Sequence, residues 1–160
     1  MGIIQEEKIF LNQSLTTQKE VFEFLANQAV ETGISADEKQ VYQRIVEREN
    51  EGTTGMMDGF AIPHAKDQSI SEPSILIVTL NQGIEWNSLD GQLIDFIIAL
   101  FIPDTEAGTT HLKLLSAVAR LLMRNEVTEK LKAAQSKAEI ATLLNLSLIH
   151  ISEPTRPLYI

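Results

Sequence analysis

Two histidines and an arginine are the residues of this 160-residue sequence best equipped for chemistry. His64 follows Pro63 at the end of a short apolar run, Phe60-Ala61-Ile62, which itself follows the glycine-rich stretch Gly55-Met56-Met57-Asp58-Gly59. Proline holds φ near about −65° and has no N–H, so the next imidazole is presented from stiff backbone at a strand end. A neutral imidazole keeps a lone pair on one ring nitrogen. Its ordinary pKa of about 6.5 leaves it mostly unprotonated at neutral pH, and hence nucleophilic. Gly55 and Gly59 permit close backbone approach, and amides in such turns can cradle an anion. The expectation is a ring nitrogen at position 64 that lies open to an incoming group. The competing reading is an ordinary surface histidine in a loop.

His111 strengthens the chemical reading. It follows Thr109 and Thr110, either of which can cap a helix, so it falls in a first turn where free amides and the positive dipole end accumulate. That place disfavours an imidazolium and favours an incoming phosphate. A first-turn histidine that only packs or caps competes on even terms. Arg48 is the third candidate, because its planar fork suits the oxygens of a transferring phosphoryl group. An ordinary salt bridge within Glu47-Arg48-Glu49 is the stronger expectation from sequence mechanics alone. Asp58 could fix a histidine tautomer, although a carboxylate in such a turn more often serves the turn. Met56, Met57 and Phe60 could form an apolar docking rim, with Phe60 better read as core.

The elements that must carry these residues follow from periodicity. Thr17-Gln18-Lys19-Glu20 has capping-box spacing and leads a helix in which Val21, Phe22, Leu25, Ala26, Ala29 and Val30 recur at helical intervals, stopped at Gly33. Ser35-Ala36-Asp37-Glu38 is a second such box, opening a helix with Val41, Tyr42, Ile45 and Val46 on one face. The β-branched and aliphatic run over residues 75–80, bounded by Pro73 and Asn81-Gln82-Gly83, predicts a strand covered on both faces. Residues 93–102 predict another, stopped by Pro103, while 60–62 and 9–11 are shorter strand candidates. Helical spacing returns with Leu112, Leu115, Ala119 and Leu122 on one stripe and Leu114, Val118 and Leu121 beside it, and Ser136-Lys137-Ala138-Glu139 caps a last short helix. Helices first, strands in the middle and helices last predict an α/β fold: one domain with a mixed β-sheet flanked by helices on both faces.

Composition narrows the function classes. A formal net charge of −9 opposes nucleic-acid binding, which needs clustered Lys and Arg, and favours partners with basic surfaces. The most apolar stretch, 93–102, contains Asp95 and is far shorter than the ~20 residues of a spanning helix. There are no cysteines, so disulfides, thiolate nucleophiles and cysteine-held metals are excluded, in keeping with a cytoplasmic address. Residues 147–160 carry Pro154 and Pro157 and no clear period. They read as a C-terminal tail, a candidate non-native extension, outside a domain spanning 1–146.

Taken together, several motifs resemble a known family. They are Arg48-Glu49, Gly52-Thr53-Thr54-Gly55, Gly59-Phe60-Ala61-Ile62-Pro63-His64-Ala65-Lys66, Gly83-Ile84-Glu85-Trp86, Ser88-Leu89-Asp90-Gly91 and His111-Leu112. The sequence is similar to the type-2 enzyme IIA domain, fructose/mannitol class, of the phosphoenolpyruvate-dependent sugar phosphotransferase system (PTS), and more like its fructose branch. The resemblance implies a phosphoryl carrier: His64 is phosphorylated by the small carrier HPr and passes the group to a cysteine on a IIB domain, with His111 and Arg48 lining the site. It also implies that sugar specificity resides in the IIC membrane component, reached only indirectly. A regulatory, nitrogen-type enzyme IIA that acts by phosphorylation-dependent protein binding is the alternative. No metal or organic cofactor is called for, since transfer between two nitrogens needs positioning and charge stabilisation.

Overall fold

Helix α1 (Gln18–Glu31) begins where its capping residues place it: the Thr17 hydroxyl accepts from the Glu20 amide at 3.1 Å. The computed structural model describes residues 4–106 and 109–148, without the side chains of Glu106, Thr109, Thr110 and His111. Helix α2 (Glu38–Glu51) starts later than the Ser35 box predicts, because Asp37 is the cap and accepts from the Gln40 amide at 3.1 Å. Ser35 is held elsewhere. Its hydroxyl meets that of Ser69 at 2.7 Å, and its backbone bridges Ile70.

Among the described residues, three further α-helices follow: α3 (Thr109–Leu121), α4 (Asn125–Ala133) and α5 (Lys137–Ser147). Ser136 caps α5 as expected, accepting from the Glu139 amide at 3.1 Å. Helix α4 has no capping side chain at Arg124, so the sequence carries no start signal for it. Helix α5 runs past the boundary expected at 146, and Leu148 is buried in the core. The cause is the apolar spacing from Leu144 to Leu148, one turn apart on the same face. The rest of the tail, 149–160, lies outside the described residues.

Among the described residues, five strands form one mixed sheet in the order β1-β4-β5-β2, with β3 also paired to β5. The central pair, β4 (Ser74–Ile84) and β5 (Ile94–Pro103), is antiparallel, whereas β1 (Ile9–Gln13), β2 (Phe60–Ala61) and β3 (His64–Asp67) are parallel to their neighbours. Strand β4 continues through the Asn81-Gln82-Gly83 segment expected to end it, with its register shifted between Thr79 and Ile84. Gly83 serves close approach rather than a stop, since a Cβ there would lie 2.8 Å from the Leu93 Cβ.

The edge bearing His64 is a single strand interrupted once. His64 faces Leu100 in the same register in which Phe60 faces Phe96, so β2 and β3 are two halves of one line along β5. Pro63, without an N–H, breaks the ladder between them, yet its carbonyl still accepts from the Leu100 amide at 3.0 Å. Alternation then sorts the side chains. Phe60 and Ile62 join Leu100, Leu114 and Val118 on the α3–α5 face, and His64 follows them to that face; Ala61 and Ala65 join Val41 and Ile45 on the α1–α2 face. Apolar layers on both faces explain the near-continuous hydrophobic runs of β4 and β5.

Asp67, with a side chain 2% exposed, fastens β3 to α2 through Arg44 Nε at 2.9 Å. Burial alone would raise its carboxyl, but the Ser69 hydroxyl and amide and the Arg44 guanidinium hold it below the ordinary carboxylate range. A depressed carboxylate contributes stability that is fully present above the unfolded pKa of about 3.9 and is lost as pH falls through the folded value. Asp67→Asn is therefore expected to lower stability at neutral pH by about 1–3 kcal/mol. The gap to wild type should narrow as the medium is acidified below the unfolded value. Urea unfolding at neutral and acid pH checks this, and a gap that stays constant into acid contradicts it.

Candidate active site

His64 stands at the first residue of β3 and is only 6% exposed. Its Nδ1 lies 3.1 Å from the Ile62 carbonyl oxygen, two residues back across Pro63. A carbonyl can only accept, so Nδ1 carries the proton and the lone pair belongs to Nε2. That nitrogen accepts from Arg48 Nε at 3.0 Å. Both contacts agree on one tautomer, with Nε2 as the nucleophilic atom.

The structure corrects the expectation of an open ring nitrogen. Nε2 is covered by the partly exposed Arg48, one side chain from solvent. The reason is general: a buried acceptor without a donor costs about 1–3 kcal/mol, and Arg48 supplies the donor. The salt bridge expected within Glu47-Arg48-Glu49 does not form around Arg48. Glu47 pairs with Arg44 at 3.0 Å, and Glu49 turns to Thr54. Arg48 instead reaches off the end of α2, donating through Nη1 to the Gly52 carbonyl at 2.8 Å while Nε holds His64. A guanidinium has five N–H donors, so it can exchange a ring nitrogen for phosphoryl oxygens without losing its own bonding.

Residues 52–55 form the wall beside this pair. The Thr54 amide and hydroxyl both donate to the Glu49 carboxylate, the amide at 2.9 Å. The buried Trp86 indole N–H donates to the Thr54 hydroxyl at 3.3 Å, and the Thr54 carbonyl accepts from the Ile62 amide at 2.9 Å. Gly55 fits against Trp86 because it has no side chain: a Cβ would sit 2.8 Å from the Trp86 Cδ1 and 2.9 Å from the Ser88 Cα. Gly55→Ala is expected to cost about 1–3 kcal/mol through overpacking. It should also shift the emission of Trp86, the sole tryptophan. Unfolding followed by fluorescence measures both, and an unchanged midpoint and spectrum would refute the steric argument.

Asp58 takes the turn role rather than the tautomer role. It sits at φ +58°, and its amide donates to Asp90 Oδ2 at 3.0 Å. That bond, with another from the Gln92 amide, lowers the Asp90 carboxyl. The Ile62 carbonyl orients His64 instead, a backbone group that no side-chain motif announces. Phe60 is fully buried, Met56 packs against the core, and Met57 is exposed. Position 111 falls in the first turn of α3, on the sheet face toward which His64 points, and its side chain lies outside the described residues.

The family model for the phosphoenolpyruvate-dependent sugar phosphotransferase system, EIIA 2, matches residues 2–146. The chain belongs to this family. As a type-2 EIIA domain it is 34% identical to the PTS system fructose-specific EIIA component of Haloferax volcanii, over 86% of this chain and 89% of that protein. It is 33% identical to the nitrogen regulatory protein of Bradyrhizobium diazoefficiens, over 90% of this chain and 93% of that one. In structure it is similar to nitrogen regulatory protein IIA-Ntr of Neisseria meningitidis, with a TM-score of 0.82, 25% identity, and coverage of 89% and 96% of the two chains. Three-component EIIABC relatives also match, and of these the chain spans 22% of the length. The EIIA family is one of phosphoryl carriers. Among the described residues, no helix is long and apolar enough to cross a membrane.

Proposed function

We propose that this EIIA domain accepts a phosphoryl group on His64 Nε2 from phospho-HPr in the cytoplasm and hands it to a IIB domain, in fructose-type sugar uptake. The observation that carries the reading is the pair of contacts on one ring: Nδ1–H on the Ile62 carbonyl and the Nε2 lone pair on Arg48. In the forward step the Nε2 lone pair forms a bond to phosphorus. The donor's nitrogen–phosphorus bond breaks in line, and its electron pair stays with the departing ring. Positive charge develops on the His64 ring, and the Ile62 carbonyl at Nδ1–H stabilises it. Arg48 gives up Nε2 and follows the phosphoryl oxygens, and the family resemblance assigns His111, in the first turn of α3, to the same transfer.

Incubation with phosphoenolpyruvate, enzyme I and HPr should add one acid-labile phosphoryl group per chain. A chain that takes up no label rejects the proposal. A second reading, regulation by phosphorylation-dependent protein binding, is favoured by the likeness to the two nitrogen regulatory proteins. A chase with a IIB protein separates the two. In uptake the label leaves for the IIB cysteine; in regulation it remains on the chain.

A further inference from the structure

Glu49 occupies a place that helix electrostatics disfavours. It lies in the last turn of α2, at the negative end of the dipole, where cations are preferred and where Arg48 beside it fits. Its carboxylate nevertheless grips Thr54 twice, at the amide and at the hydroxyl, and Thr54 itself is 3% exposed. From the turn so gripped, two paths run to the two nitrogens of one ring. In the first, the Thr54 carbonyl accepts from the Ile62 amide, and the Ile62 carbonyl accepts from His64 Nδ1. In the second, the Gly52 carbonyl accepts from Arg48 Nη1, while Arg48 Nε donates to His64 Nε2.

We propose that Glu49 is a positioning residue for phosphoryl transfer, its grip on Thr54 fixing the turn at 52–54 through which both nitrogens of the His64 ring are aimed. This rests on the transfer proposed above. Glu49 touches neither the ring nor the phosphoryl group. It sets the direction of the Nε2 lone pair and the starting position of the guanidinium. A misplacement of about 1 Å at a reacting atom can cost on the order of 10²-fold in rate. Loss of the grip should therefore slow the maximal rate and leave docking of the donor protein alone.

Single-turnover transfer from phosphorylated HPr, measured over a range of donor concentrations, tests the inference. Wild-type labelling is the control: its failure sinks the transfer reading itself, whereas the variants bear on Glu49. In Glu49→Ala the maximal rate should fall by about 10- to 100-fold with the half-saturating donor concentration unchanged. Glu49→Asp keeps the charge but falls a methylene short of Thr54, and should be similarly slow. Glu49→Gln can still meet the Thr54 amide and hydroxyl, and should stay within about threefold of wild type. Melting curves identify any variant unfolded at the assay temperature, in which case the Asp and Gln forms decide. Wild-type maximal rates in Glu49→Ala and Glu49→Asp would overturn the proposal. A raised half-saturation at unchanged maximal rate would also overturn it, as would a Glu49→Gln form as slow as Glu49→Ala.

Discussion

Exchange of His64 for glutamine is expected to abolish phosphoryl acceptance altogether while leaving a folded domain. The ring is buried at the start of β3, with Nδ1 on a backbone carbonyl and Nε2 on Arg48. A glutamine amide can replace one of those hydrogen bonds, so the stability cost should stay within about 1–3 kcal/mol, the ordinary range for a buried polar exchange. The amide has no nucleophilic lone pair, and nothing else in the described site can take its place as an imidazole acceptor. Labelling from phosphoenolpyruvate through enzyme I and HPr, run beside a thermal melt, reads both quantities. Residual label on a folded His64→Gln protein would place the acceptor elsewhere.

The second large effect belongs to Arg48, where the two roles the geometry allows differ in sign. If the guanidinium only covers Nε2, removing it frees the lone pair, and Arg48→Ala should accept the phosphoryl group faster. If it stabilises the transferred group, the variant should be slower by about 10²–10³-fold, the loss typical when one preorganised donor is removed from a developing charge. We expect the slow outcome, because the same side chain is anchored at Gly52 through Nη1 and can turn Nε from nitrogen to oxygen without leaving the site. Arg48→Lys should recover only part of the loss, since an ammonium cannot hold Gly52 and the phosphoryl group in one planar fork. Quench-flow measurement of acceptance from phospho-HPr distinguishes these cases by direction alone.

How far the sequence foretold this arrangement depended on where the signal lay. The helices opened by Thr17 and Ser136 are legible because a side-chain cap and an apolar stripe agree there. Helix α2 begins two residues beyond its apparent start because Asp37 caps as well as serine, while Ser35 is drawn to Ser69 by contacts remote in sequence. The continuation of β4 through Gly83 depends on Leu93 crossing it, a tertiary approach that no local rule contains. At the site, Pro63-His64 is local chemistry and can be read directly. The local reading of Arg48 fails for the opposite reason. Its charged neighbours are claimed by Arg44 and Thr54, which leaves the guanidinium to a histidine sixteen residues away. The Ile62 carbonyl that fixes the tautomer is backbone, and backbone groups leave no mark in a residue pattern.

Everything proposed for this domain depends on which atom of one ring is left nucleophilic by its neighbours. Phosphorylated protein carrying nitrogen-15 in its histidine rings, examined by phosphorus–nitrogen coupling in NMR, identifies that atom directly. The expected result is phosphorus bonded to Nε2 of His64, with Nδ1 still protonated. Phosphorus on Nδ1, or on any residue other than His64, would contradict it.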